Sequence, residues 1–355
     1  MSYDHFDVVD CDGHIVERVE DLAKFMDPAT RKHALEPARN REGVFPSLDG
    51  FHLALHTGAA VRERVTASDH RPGSADDWLA FLDKAKLDRA VLFTSEGLSV
   101  GNIQNPRYAT AVCRAYNDFV HDTYARVSDR LRPMALIPMQ DPQGAATELR
   151  RAVRDLGLPG AMIPSTGLPL HLGHEYYGPV YAEAAELGCP VAVHGGANGR
   201  IGLESFSNFT ASHVLHHSMP LMVALVAMIY HGVFDRYPDL RVGFMEGGCG
   251  WVSFLLDRME RDENYFDAAD QPKKRPIEYL QGGRILIGCE GSEGSLAYVA
   301  SRVGIESFAY ASDYPHEVDL VDGIREIEEV AERDDLSDSD KAAVLGGNAV
   351  RFFGL

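Results

Sequence analysis

"VDCDGHIVE", residues 9–17, sets Asp10, Asp12, His14 and Glu17 directly behind an apolar run. In a strand, residues two apart point to the same face. Extended backbone through this stretch therefore brings Asp10, Asp12 and His14 to one side, as a metal site or a catalytic site requires. A polar strand end followed by a glycine turn is the plainer alternative, and the fragment alone admits both.

The rest of the chain repeats one grammar: a short aliphatic run, a polar loop, then a helical pattern. Strands are predicted at "FDVVDC" (6–11), "RAVLFT" (89–94), "PMALIP" (133–138), "GAMIP" (160–164), "PVAVH" (190–194), "RVGFM" (241–245), "RILIG" (284–288) and "FAYASD" (308–313). Helices are predicted at 107–128, 143–156, 176–187, 219–236, 251–262, 321–333 and 339–346. Near-continuous apolar strands alternating with helices imply a parallel sheet buried on both faces. Eight such units point to an α/β fold of the (β/α)8, TIM-like barrel kind, with insertions over its C-terminal mouth. A dinucleotide-binding sheet would need G-x-G-x-x-G after the first strand, and "CDGHIVER" stands there instead. The chain is expected to form a single barrel domain over 1–355. An insertion at about 18–75, with a short hairpin, and a long cap loop at about 195–220 are expected over the mouth.

The 355 residues carry 34 Lys+Arg against 53 Asp+Glu, a formal charge of −19. Such a surface repels phosphate backbones, so no nucleic-acid partner is expected. The five cysteines are scattered and include no CxxC pair, which argues against a disulfide framework or a zinc ribbon. "MSYDHFDVVD" has no basic or long apolar signal region, and "PLMVALVAMIY" covers about half a bilayer span. A soluble, cytoplasmic protein with no membrane partner is expected.

Barrel active sites lie at the carboxyl ends of the strands. There the predicted first strand delivers Asp10, Asp12 and His14; the fifth, His194; the sixth, Glu246; the seventh, Glu290; the eighth, Asp313. The second, third and fourth end in residues that ligate poorly. A lone strand-end histidine is more often structural, but acids and histidines at the ends of several strands of one barrel argue for a metal centre. Imidazole and carboxylate donors suit Zn²⁺, Fe²⁺ or Mn²⁺.

These pieces carry a resemblance. "VDCDGHIVE", "PVAVHGG", "GVFDRYPDLRVGFMEGGCGW", "FAYASDYPHE" and the terminal "GNAVRFFGL" resemble the amidohydrolase superfamily. The branch is the amidohydrolase-related one that includes aminocarboxymuconate-semialdehyde decarboxylase and the resorcylate decarboxylases. The resemblance implies that Asp12 and His14 occupy the H-x-H or E-x-H metal motif. It implies that His194 is the fifth-strand ligand, and that Asp313 binds metal and handles a proton. It also suggests a homodimer. Glu246 stands where those decarboxylases keep a histidine, so two acidic replacements, Asp12 and Glu246, favour a hard cation or a pair of ions bridged by Glu246.

The expected cofactor is one or two divalent ions, zinc first and iron or manganese next. The expected metal ligands are Asp12, His14, His194, Glu246 and Asp313, with Asp313 and Glu246 catalytic. Arg200 and Asn198 in the loop after His194, together with His216, His316 and Glu290, are the expected substrate contacts, Arg200 as the anion anchor. Asp10 and Glu17 are read as supports of the ligands, and His231 as a helix C-cap. The leading expectation is a metal-dependent hydrolase, in which activated water attacks an amide, ester, lactone or acyl thioester of a small organic acid. The alternative is a nonoxidative decarboxylase, or a hydratase, acting on an aromatic or unsaturated acid.

Overall fold

The computed structural model describes residues 2–35, 44–46, 73–196, 201–203, 206, 209–316 and 318–355. Its strands are β1 (Val9–Ile15), β2 (Arg89–Thr94), β3 (Leu131–Pro133), β4 (Ala135–Leu136), β5 (Ala161–Pro164), β6 (Val191–His194), β7 (Val242–Met245), β8 (Ile285–Cys289) and β9 (Phe308–Tyr310). Neighbours in chain order pair in parallel through β1-β2-β3 and through β4 to β9. β3 and β4 are two halves of one barrel strand, interrupted at Met134, whose N–H donates to Leu92 O at 2.8 Å while that of Ala135 turns to Gly160 O at 2.9 Å. The other seam is closed just past β9: Asp313 N donates to Asp12 O and His14 N to Tyr314 O, each at 2.8 Å. The polar motif of β1 thus also closes the barrel, which is the (β/α)8 architecture expected.

The principal helices are α1 (Ala75–Lys84), α2 (Pro106–Val120), α3 (Pro142–Arg154), α4 (Gly178–Leu187), α5 (Phe209–His216), α6 (Ser218–Tyr230), α7 (Gly250–Asp262), α8 (Leu296–Val303) and α9 (Leu320–Ala331). α2 and α3 each begin with proline behind an Asn or Asp cap, the arrangement that satisfies the first free amides. Crossover helices cover the outside of each strand, so β5, β6, β7 and β8 are buried throughout. Thr210–Tyr230 is apolar enough by composition to cross a membrane, but 44% of its most apolar window is buried in the protein.

Three expectations change here. β1 runs on to Ile15 rather than stopping at residue 11, and all seven of its residues are buried, Asp10, Asp12 and His14 included. The described part of 18–75 is helical, at Val19–Ala23 and Pro28–Ala34, with α1 starting at Ala75; the expected hairpin falls among residues 47–72, outside the described residues. The expected cap loop contains α5 and the start of α6.

Candidate metal and active site

The β1–β2 register shifts between Asp10 and Gly13. This irregularity separates two acids that strict alternation would align. Asp10 turns to the β9 side and accepts from Ser312 N at 3.0 Å, Ser312 Oγ at 2.5 Å and Asp12 N at 3.1 Å. Burial pushes its carboxyl up to about 6 against those hydrogen bonds. It is the support the sequence suggested. Asp12 and His14 face the barrel centre instead.

There, Asp12 Oδ1 lies 2.9 Å from His194 Nε2 and 3.6 Å from His14 Nε2, and His14 Nε2 lies 3.3 Å from Asp313 Oδ1. His14 is oriented from behind by Thr94 O, 3.0 Å from its Nδ1. That contact places the Nδ1 proton on the carbonyl and leaves Nε2 as a donor atom. Its Nε2 and Asp12 Oδ2 are buried without a hydrogen-bond partner. Buried polar atoms left in this way, facing one another, are the signature of a cation site. One donor atom from each of Asp12, His14 and His194 lies within 4.8 Å of the others, and so do those of His14, Glu246, Asp313 and His316. Two carboxylates and two imidazoles at Asp12, His14, His194 and Asp313 therefore fit a divalent ion. All five cysteines are free and buried, with thiols pushed up by burial, so thiolate ligation plays no part.

Protonation follows burial and neighbours. Burial, and then the His316 and His194 imidazoles, hold His14 well below the ordinary histidine value, so it is neutral. Burial pushes the Asp12 carboxyl up against the pull of His194. Burial also opposes charge on His194, but Asp12 and Glu246 outweigh it and hold the imidazole well above its usual value. Burial would neutralise Glu246, yet His217 and His194 keep it ionised, well below the usual carboxylate range. Its Oε2 lies 3.1 Å from His194 Nδ1 and 3.3 Å from His217 Nδ1.

Backbone geometry marks the same residues. Glu246 and Asp313 hold φ at +61° and +57°, the left-handed region that costs a side-chain-bearing residue about 1–3 kcal/mol. The strain aims both carboxylates into the mouth. His316 Nδ1 lies 2.7 Å from Asp313 Oδ1, and its Nε2 lies 2.8 Å from Ser95 Oγ. A chain of proton-bearing groups therefore runs Ser95–His316–Asp313. Glu17, expected near the ligands, is buried behind β2, where it accepts from Thr94 Oγ1, Ser95 N and Gly97 N. Burial raises it to about 7 in spite of the Thr94 bond. It braces the loop that presents Ser95.

Asp12, Glu246, Asp313 and Glu290 line a cavity of about 80 Å³ together with His213 and His217. His216 is 4% exposed, and its Nε2 lies 2.6 Å from His217 Nε2. Asn198 and Arg200 lie outside the described residues. His231 caps the C-terminus of α6 and stacks on His171, as a structural residue. Of His213, His216 and His217, the sequence pointed to His216, as a substrate contact; the direct approach of His217 to Glu246 is new. The signal for it was the glycine pair after His194. A Cβ at Gly195 would meet His217 Cα at 3.0 Å, and one at Gly196 would meet Glu246 Oε2 at 2.8 Å.

Residues 9–355 match the family described as amidohydrolase. The chain is 28% identical over 279 residues to 2-amino-3-carboxymuconate-6-semialdehyde decarboxylase of Dictyostelium discoideum, covering 77% of this chain and 75% of that protein. It is 24% identical over 273 residues to gamma-resorcylate decarboxylase of Polaromonas sp. strain JS666, covering 72% and 80%. Among solved structures, 5-carboxyvanillate decarboxylase of Novosphingobium aromaticivorans, complexed with manganese and 4-hydroxy-3-methoxy-5-nitrobenzoic acid, superposes with a TM-score of 0.75. That superposition is at 20% identity over 99% of this chain and 97% of that one. The two curated relatives are decarboxylases, so the comparisons favour the alternative reading over the leading expectation of a hydrolase. Manganese in the solved neighbour likewise gives no specific support to zinc.

Proposed function

Because the chain belongs to the amidohydrolase family, we propose that it is a metal-dependent nonoxidative decarboxylase of an aromatic or unsaturated carboxylic acid. The observation that carries this reading is a pair of donor groups sharing His14, one with Asp12 and His194 and the other with Asp313, Glu246 and His316, in a chain whose curated relatives are decarboxylases. When bound, a divalent ion held by Asp12, His14, His194 and Asp313 supplies the positive charge that grips an anionic substrate.

The chain's own residues do the rest. Asp12 and His14, both buried, form the floor of the site. The C–C bond to the carboxylate breaks, carbon dioxide leaves, and the electron pair stays on the substrate carbon. That carbon takes a proton from Asp313 Oδ1, His316 Nδ1 returns one to the carboxylate, and His316 recovers its own from solvent by way of the Ser95 hydroxyl at its Nε2. Glu246 is held ionised between His194 and His217, so it is an orienting charge rather than the acid.

The test is carbon dioxide release from a panel of hydroxybenzoates and unsaturated acids by the manganese-loaded enzyme. Release that stops in Asp313→Asn is expected, with a loss of about 10²–10⁴-fold in kcat. Asn tolerates the left-handed backbone at this position, so the fold should survive. Turnover of ester or thioester panels without carbon dioxide would return the protein to the hydrolase reading.

A further inference from the structure

A second constellation of imidazoles stands beside the donor set just described. His213, His216 and His217 follow the i, i+3, i+4 spacing that places side chains on one helical face, at the end of α5 and the start of α6. One ring nitrogen from each lies within 4.8 Å of the others. His213 Nε2 is 3.4 Å from His217 Nε2, and His216 Nε2 is 2.6 Å from it. In a tetrahedral site with metal–nitrogen bonds of about 2.0–2.1 Å, ligand nitrogens stand about 3.3–3.4 Å apart. The His213–His217 edge already has this length. The His216–His217 edge is a ring-to-ring hydrogen bond that has to open by roughly 0.7 Å, with loss of its shared proton.

We propose that His213, His216 and His217 form a second divalent-cation site, with its fourth position open to the cavity. Two independent features point to a ligand. His217 Nδ1 lies 3.3 Å from Glu246 Oε2 in an ion-pair contact, while the opposite ring nitrogen, Nε2, faces His213 and His216. In addition, His213 and His217 line the same cavity as Asp12, Glu246 and Asp313. Glu246 thus orients an imidazole in each set, His194 in one and His217 in the other.

The lining gives the site a purpose, and this step rests on the decarboxylase reading. Asp12, Glu246, Asp313 and Glu290 put four carboxyl groups on the cavity wall, and a second dication beside them adds positive charge where a substrate carboxylate has to sit. The donor types differ as well. All-imidazole donors favour zinc, nickel, copper or cobalt, whereas the carboxylate-bearing set accommodates manganese. The two sites therefore load different metals.

The experiment counts metal on the full chain saturated with cobalt(II), desalted and analysed by mass spectrometry, with the visible cobalt spectrum recorded. Two ions per chain are expected in the wild type, and one in His213→Gln and in His217→Gln, with loss of the imidazole-bound cobalt bands. One ion is expected in Asp12→Asn with those bands retained. One ion in the wild type, or two retained in both histidine variants, overturns the proposal. Should those variants fail to fold, the cobalt anomalous map of the wild type decides. A peak bonded to three Nε2 atoms supports the site, and its absence refutes it. Two ions without carbon dioxide release would leave this site standing and sink the decarboxylase reading; release by a one-ion protein would do the reverse.

Discussion

Gly13 separates the two β1 ligands, and its replacement by alanine tests whether their spacing depends on one buried ring. Its φ lies outside the left-handed region, so the backbone does not call for glycine; the neighbour does. A Cβ at this position would stand 2.1 Å from Trp78 Cη2, 2.6 Å from Cζ2 and 3.2 Å from Cζ3. Carbon atoms rest at about 3.5–4.0 Å, so the ring must retreat by roughly 1.4 Å or more. Trp78 is fully buried, packs edge-on against Tyr314 and Phe81, and donates Nε1–H to His14 O at 2.9 Å. Retreat breaks that bond and pulls on the backbone of a ligand.

Overpacking costs about 1–3 kcal/mol, and stranding a buried donor and acceptor costs about 1–3 more. Gly13→Ala should therefore lose about 2–6 kcal/mol in denaturant unfolding and about 10–100-fold in manganese affinity. The control is Trp78→Leu, which removes the offending ring atoms. In that background Gly13→Ala should cost much less, giving a coupling energy of about 2 kcal/mol in a double-mutant cycle. Additive effects within about 0.5 kcal/mol would refute the contact argument, as would wild-type metal binding by the single variant.

Two further outcomes follow from buried carboxylates away from the ion. Asp10→Ala strands the Ser312 and Asp12 donors and should cost about 3–5 kcal/mol, whereas Asp10→Asn, which keeps an acceptor, should cost less than half of that; equal losses in urea melts would count against the hydrogen bonds. Glu326 on α9 is 9% exposed, and its Oε2 has no hydrogen-bond partner; burial, then Glu290 and Asp10, raise it from 4.5 to about 8. Between those values the folded state holds the extra proton, so stability is full below about pH 4.5 and falls as pH rises through 8. Glu326→Gln should flatten that slope and add roughly 2–5 kcal/mol at pH 9; an unchanged slope would show that the group titrates normally.

The strands were legible because each is an aliphatic run buried on both faces. β1 was misjudged at its end because polar residues usually stop a buried strand. Here Asp12 and His14 point into the barrel centre, where a cation can compensate them, so the strand continues. α1 was hidden by treating 18–75 as one insertion, although Ser74 and Asp77 form a capping box that spells a helix start in "SADDW". Asp12, His14, His194 and Asp313 could be found because each lies at or just past the carboxyl end of a strand predicted from the sequence. The pairing of His217 with Glu246 left only an indirect trace, the glycine pair after His194, because it depends on how α5 and α6 fold over Gly195 and Gly196.

Glu246 shows why resemblance at one position does not transfer a role. The resemblance implies a histidine at this position, whereas this chain has a carboxylate that His217 and His194 hold well below its usual range against burial. A carboxyl group so placed is a poor proton donor, so the proposed acid lies elsewhere at the mouth. Asp313 is coupled to His316, and through it to Ser95, on the other side of the donor set. Both Glu246 and Asp313 are held at strained backbone angles, and that shared cost makes sense if they divide one task. On the proposed function, Glu246 orients imidazoles while Asp313 moves the proton.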